Sequence, residues 1–328
     1  MRLSSNRFFD HIDDFVRYRQ RIYELSPQTI KSNLIDLNLF KGFIETRKDK
    51  SINGKALIGF QYYLKMERGN CGSSINRKIF ALRSYGNFLK LNAGPLADSL
   101  PFYDVLKIRQ GYRNRPQALT MQHIKRLFTA IGAGTVLSVR DYALYALMYQ
   151  LGLRVGEVHA LDLASLDLEN HKITVLGKGR KVRTLHMNAE LIDILSHYLA
   201  VRQVFLNSHL LPALFISKKG NRLSIRTMED NLKKVLLRAD LKAPFNISCH
   251  TLRHSLASHL NEKGTDILVI QSILGHATSR STEPYIHPSD AMVRKALEKL
   301  PSIKYVKEQI RKGELKLGFQ KSFRPKRE

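Results

Sequence analysis

One stretch of the chain changes its hydrophobic period. Through most of the rest, apolar residues recur three and four apart, the repeat of amphipathic helices. In "HKITVLGKGRKVRTLHM" the period drops to two: Ile173 and Val175, then Val182 and Leu185, flank a glycine-containing turn. Successive side chains of a strand point to opposite faces, so this pattern predicts a β-hairpin. One hairpin among helices limits the fold to a mainly α protein with a small antiparallel β-sheet.

The helical stretches fall in two blocks. In the first, "RFFDHIDDFVRYRQRIY" spaces Phe8, Ile12, Phe15 and Tyr18 as one stripe. "SPQTIKSNLIDLNLFKGFIETR" opens with Ser26 as N-cap and Pro27 at the first helical position, and buries Ile30, Leu34, Leu37, Phe40 and Phe43. Two more helices, "GKALIGFQYYLKMERG" and "SSINRKIFALRSYGNFLKLNAG", complete a four-helix domain over residues 1–94, closed by Gly94. Basic residues, among them Arg19, Lys31, Lys41, Lys65, Arg77, Lys78, Arg83 and Lys90, are expected on the opposite faces, where a phosphate backbone could lie. Residues 95–117 are proline-rich and basic and read as an interdomain linker. A second domain, 118–300, begins at "LTMQHIKRLFTAI" with Thr120 as cap, and a basic tail follows over 301–328.

Charge narrows the partner. The 328 residues hold 54 Lys and Arg against 28 Asp and Glu, a net charge of +26. Such an excess favours a polyanion, because nucleic acid releases condensed counterions to a basic surface. A basic ribosomal protein or a membrane-surface binder would share it, but the cations here are dispersed through patterned helices. No apolar run is long enough to span a bilayer. Two distant cysteines, Cys71 and Cys249, offer neither a disulfide framework nor a cysteine zinc site and fit a reducing cytoplasm.

Six positions could carry chemistry. Arg154 lies in "YQLGLRVGEV" between Gly152 and Gly156, either open to a phosphate or paired with Glu157 on a helix surface. Lys178 stands at the hairpin tip with Arg180, Lys181 and Arg183, a cluster that could reach a nucleic-acid groove or simply be solvated. "CHTLRHSLASH" puts His250 and Arg253 three apart on one helix. Zinc held by His250, His254 and His276 would lack a carboxylate or cysteine ligand and would sit beside Arg253. His276 follows Gly275 at a helix end, and Tyr285 closes "LGHATSRSTEPYIH" behind Pro284. Together these groups have one rationale. Two arginines hold a phosphodiester and neutralise its growing charge, a tyrosine attacks phosphorus, and histidine and lysine move protons.

In order and spacing, "GLRVGEV", "VLGKGRKVRTLHM", "HTLRH" and "LGHATSRSTEPYIH" resemble the tyrosine recombinases, or phage-type integrases, including the Xer recombinases. The resemblance covers about residues 118–290, and the four-helix front end looks like the family's core-binding (SAM-like) domain. It implies that Arg154, Lys178, His250, Arg253 and His276 surround the nucleophile Tyr285, with Glu157 a structural partner of Arg154. It implies no metal and no cofactor. The implied partner is double-stranded DNA at a specific recombination site, cut through a 3′-phosphotyrosine by a homotetramer on two paired sites, or with a paralogous recombinase. The implied setting is the cytoplasm, at the nucleoid, with no membrane. Type IB topoisomerases and telomere resolvases share the nucleophile and arginines, and a non-catalytic DNA-binding relative would share the fold. Two departures stand out: "HMN" follows the hairpin, and Pro284 precedes the tyrosine. With Ser281 or Thr282 as N-cap, Pro284 falls in the first helical turn and sets the entry of Tyr285.

Overall fold

The structure is a computed structural model. It describes residues 8–92, 107–108, 118–132, 134–177, 182–205, 207–243, 245–275 and 290–300. The chain divides into two compact units, 1–114 and 115–328.

The first unit packs four helices: α1 (Ile12–Arg21), α2 (Pro27–Glu45), α3 (Gly54–Tyr62) and α4 (Gly72–Asn92). The Ser26 side chain accepts from Thr29 N–H at 3.3 Å and Pro27 occupies the first turn, so α2 starts where the sequence places it. Asn53 caps α3 in the same way through Ala56 N–H at 2.8 Å. The end of α3 widens into one π-helical turn, Tyr63–Glu67. The core is aromatic: Phe8, Phe15, Phe40, Phe60 and Tyr85 are fully buried. Phe8 meets Tyr85 edge-on at 5.1 Å and Phe40 meets Phe60 at 5.0 Å, the arrangement that ring quadrupoles favour. Within the stretch read as linker, Ile108 is anchored rather than free. Its N–H and C=O bond the Asn76 side chain on α4 at 2.9 and 2.8 Å.

The expected basic face needs one correction. Arg77 and Lys78 do not simply point to solvent. They converge on Asp36, which the α2 stripe left out and which is 1% exposed. A carboxylate buried that deeply requires compensating donors, and these two residues supply them.

The second unit begins with α5 (Met121–Ile131), capped by Thr120 as expected, and α6 (Val136–Gln150). Helix α6 is buried on nearly every side, so it is the central post, flanked by α8 (Ala189–Arg202) and α10 (Cys249–Glu262). Between α6 and α8 lie the short α7 (Val155–Ala160) and a three-stranded antiparallel sheet ordered β1-β2-β3. Its strands are Leu166–Asp167, Lys172–Leu176 and Val182–His186. Helices α9 (Ile225–Arg238), α11 (Ile267–Leu274) and α12 (Asp290–Glu298) complete the unit.

The hairpin forms in the expected segment, with Ile173 opposite Leu185 and Val175 opposite Arg183. Ile173, Val175 and Leu185 are buried, but Val182 is 64% exposed. Leu185 and Val182 are three apart in a strand, so they face opposite sides, and the inward position belongs to Arg183. Strand β1 escaped the sequence reading because two residues are too short to show a period. Among the described residues no helix is long and apolar enough to cross a membrane. Gly94, most of the linker and the tail lie outside the described residues.

Candidate active site

Three segments of the second unit meet around Arg154. The first is the turn between α6 and α7. Gly152 there has φ +62°, and a Cβ would come within 2.5 Å of Leu274 Cδ2 and 2.9 Å of Leu256 Cδ2. Only glycine permits both the backbone and the approach. The turn delivers Arg154 in extended conformation as the N-cap of α7. Glu157, at the third helical position, folds back to accept from Arg154 N–H at 2.8 Å, satisfying one donor of the helix start. Its other oxygen accepts from Arg154 Nη1 at 2.8 Å. Arg154 is therefore paired with Glu157, yet the pair is not a surface one. Glu157 is 6% exposed, while the Arg154 side chain is 35% exposed and keeps donors at Nε and Nη2 that are free of Glu157.

The second segment is α10, started by Ser248, whose N–H donates to Thr251 Oγ1 at 3.0 Å. It carries both His250 and Arg253. His250 is exposed at the mouth of a cleft of about 460 Å³, whose lining includes Arg154, Gly156, Glu157, Gly177 and Glu229. Its imidazole is held below the ordinary value, first by lost hydration, then by the neighbouring His254 and by the charges of Arg253 and Arg154. It is thus neutral at pH 7. The His254 ring meets it edge-on with centroids 4.6 Å apart.

Arg253 sits differently. It is 2% exposed, and its guanidinium ties two backbone carbonyls, Nη1 to Gly152 O and Nη2 to Leu274 O. Burial, then the neighbouring Arg154 charge, push its pKa down to about 10. It remains a cation at neutral pH, behind the turn that presents Arg154.

The third segment is the hairpin. Gly177, at the end of β2, lines the cleft, and Lys178 follows it in the chain. Lys178 lies outside the described residues, as do His276, Pro284 and Tyr285; Gly275 is the last described residue before that segment. The described residues thus bring together Arg154, Glu157, His250 and Arg253. They also include a residue that the sequence reading grouped with the hairpin-tip cations. The Arg183 side chain is only 17% exposed and donates to both oxygens of Glu157, at 2.9 and 3.0 Å. Burial acts to raise the Glu157 carboxyl, but the hydrogen bonds from Arg183 and the Arg154 N–H outweigh it and hold the group below its usual value. The signal was present in the alternation: Arg183 is two residues before Leu185, on the inward face.

Comparison with known proteins identifies the frame. Residues 117–292, more than half of the chain, match the model of the phage integrase family. The chain belongs to that family. Tyrosine recombinase XerC of Caldanaerobacter subterraneus subsp. tengcongensis is 31% identical over 88% of this chain and 86% of its own length. Tyrosine recombinase XerD of Halalkalibacterium halodurans is 29% identical over 87% and 95%. Among solved structures, the XerH recombinase bound to palindromic difH substrate superposes with a TM-score of 0.64 at 20% identity, covering 89% of this chain and 80% of that one. A lambda integrase dimer bound to a COC′ core site gives 0.65 at 13% identity, over 91% and 78%. These two show the shared fold. The chain is a tyrosine recombinase, an enzyme of site-specific DNA cleavage and rejoining.

Proposed function

We propose that this recombinase cuts one strand of its site by attack of the Tyr285 hydroxyl on phosphorus, with Arg154, Lys178, His250, Arg253 and His276 around the reacting phosphate. The bond between phosphorus and the 5′-oxygen of the following nucleotide breaks as the P–O bond to tyrosine forms. The phosphodiester energy is stored in a 3′-phosphotyrosine, and a 5′-hydroxyl remains. Arg154, with donors not spent on Glu157, grips a non-bridging oxygen. Arg253 contributes charge from its buried position behind the turn, where low dielectric strengthens its field. Neutral His250 accepts a proton at the cleft mouth, His276 shares that role, and Lys178 protonates the departing sugar oxygen. A 5′-hydroxyl from a second duplex then reverses the step, which calls for two sites and four protomers, either identical or shared with a paralogous recombinase. The substrate is DNA in the cytoplasm, at the nucleoid.

The observation that carries this reading is the pairing of a half-open Arg154 with His250 around a cleft that ends at Gly177, next to Lys178. A duplex site selected by the protein from a random-sequence library, then nicked near the cleavage point, provides the test. Wild-type protein should accumulate a covalent DNA adduct and Tyr285→Phe should not. An adduct formed by the Phe variant would assign the nucleophile elsewhere. Relaxation of a plasmid that lacks the site would favour a one-duplex topoisomerase.

A further inference from the structure

We propose that Arg183 is a positioning residue for strand cleavage: it locks Glu157, and through it Arg154, to the hairpin strand and to the chain that leads into His276. The proposal rests on the reading of Arg154 given above.

Consider first what holds Arg154. Its backbone N–H ends on one oxygen of Glu157 and its Nη1 on the other, so the carboxylate decides where the guanidinium stands. What holds Glu157 is Arg183. The two guanidinium nitrogens reach both oxygens in parallel, the fork geometry that fixes orientation as well as distance. With four donors on two oxygens, the carboxylate has no acceptor position left and no freedom to swing. It is also nearly cut off from water, so a loosened contact would not be replaced by solvent.

Consider next where Arg183 comes from. Its position in β3 pairs with Val175 and faces the core, where alternation calls for an apolar side chain. A charge at that position breaks the local rule and is expensive unless it does something there. It follows Lys178 by five residues along the same hairpin, so the strand carrying the tip is pinned to the Arg154 turn through one ion pair.

The third contact is with Gly275, the αL residue that ends α11 (φ +59°, ψ +48°). A Cβ on Gly275 would lie 2.9 Å from both Cζ and Nε of Arg183 and 3.0 Å from Nη1. That head group is clamped by Glu157 and cannot yield. Gly275 is thus required twice, by its φ and by the guanidinium against it. Nε of Arg183, shielded from solvent, has no hydrogen-bond partner among the described residues, so the head group is spent on Glu157 alone. One side chain therefore links the hairpin that carries it to the Arg154 turn and to Gly275, the residue before His276.

The test uses Arg183→Lys and Arg183→Gln in the full chain. Readouts are the single-turnover cleavage rate on the nicked duplex at saturating protein, the DNA dissociation constant and the melting temperature. Lysine keeps the charge but cannot fork onto both oxygens, so it separates charge from geometry. Both variants should slow cleavage, by roughly a hundredfold if Arg154 moves by an ångström, while the dissociation constant stays near that of the wild type. Arg183→Gln combined with Glu157→Gln should cost no more than the worse single change, because both act through one contact. Wild-type cleavage by both variants overturns the proposal. So does a loss that tracks DNA affinity or melting temperature, which would make Arg183 only a stabilising residue, and so does additivity in the double variant. Arg154→Ala run beside them separates the levels. If Arg154→Ala cleaves normally, the reading of the site itself fails; if it is slow while Arg183→Lys and Arg183→Gln are not, only this inference fails.

Discussion

Among the described residues, each unit of the molecule buries one carboxylate between two cations. In the helical bundle Asp36 is 1% exposed and takes Arg77 at 2.5 and 2.9 Å, with Lys78 at 3.6 Å. In the second unit Glu157 is 6% exposed and takes Arg154 and Arg183, all contacts between 2.8 and 3.0 Å. As ion pairs the two are nearly alike, and a buried ion pair is weak evidence of either stability or function. The difference lies in what the cations have left over. Arg77 turns both terminal nitrogens onto Asp36 and gives Nη1 to Ser32 as well, so its fork is spent within the bundle. Arg154 gives one terminal nitrogen to Glu157 and presents the rest beside a cleft that also holds His250. A site is marked by a cation held firmly yet not used up.

The largest expected effect breaks or keeps this distinction directly. Arg154→Ala should lower the cleavage rate by about 10² to 10³-fold, the usual loss for one donor to transition-state charge, while DNA affinity changes little. Arg77→Ala should leave the rate at saturating protein intact. Equal loss from both, measured as covalent adduct on the nicked duplex, would erase the comparison.

Exchanging the acids sharpens it next. Glu157→Gln keeps shape but removes the charge that orients two arginines. It should slow cleavage while lowering stability by about 3 kcal/mol or less, since a buried pair is broken. Asp36→Asn should act in the opposite proportion, with a falling melting temperature and normal chemistry. Its stability cost should be the smaller one, because the Arg77 side chain is 49% exposed and can turn to water. Thermal melts and single-turnover rates on the same preparations decide this.

Next comes the acid limb of the rate. His250 is held neutral by lost hydration, by the neighbouring His254 imidazole and by the cations Arg253 and Arg154, with Glu229 lining the same cleft. If it accepts a proton, cleavage should fall as pH drops through a value below that of an ordinary imidazole. His254→Asn removes the adjacent imidazole that repels a second proton and should move the limb upward. A limb that stays in place would take His250 out of the proton path.

Much of this architecture was readable from residue order, for physical reasons that differ by element. The helices declared themselves because a buried stripe and a cap are local signals: Ser26, Pro27 and Thr120 stand where their caps form. The hairpin was legible as a period but its inner face was not, because Val182 is apolar and Arg183 is not, and the ion pair to Glu157 reverses that preference. Arg77 and Lys78 were read as outward for the same reason: a cation is assigned to solvent unless its acid, here Asp36 on another helix, is known to lie beneath it. The candidate residues were found by type and spacing. Their division of labour was not, since nothing local says that Arg253 is enclosed at 2% exposure while Arg154 faces a cleft.

The smallest expected effect concerns pH and stability. The Glu157 carboxyl is raised by burial but lowered more by Arg183 and Arg154, so its folded value lies below the unfolded one, ordinarily 4.5. A carboxyl depressed in this way contributes stability at pH above the unfolded value, and the contribution is lost as pH falls through the folded one. Glu157→Gln should therefore flatten the decline of melting temperature below about pH 4.5, even though the variant starts lower at neutral pH. If the decline keeps its slope, Glu157 is not the ionised centre of the cluster. The contrast between a carboxylate that only closes a bundle and one that aims an arginine would then have to rest on the cleavage rates alone.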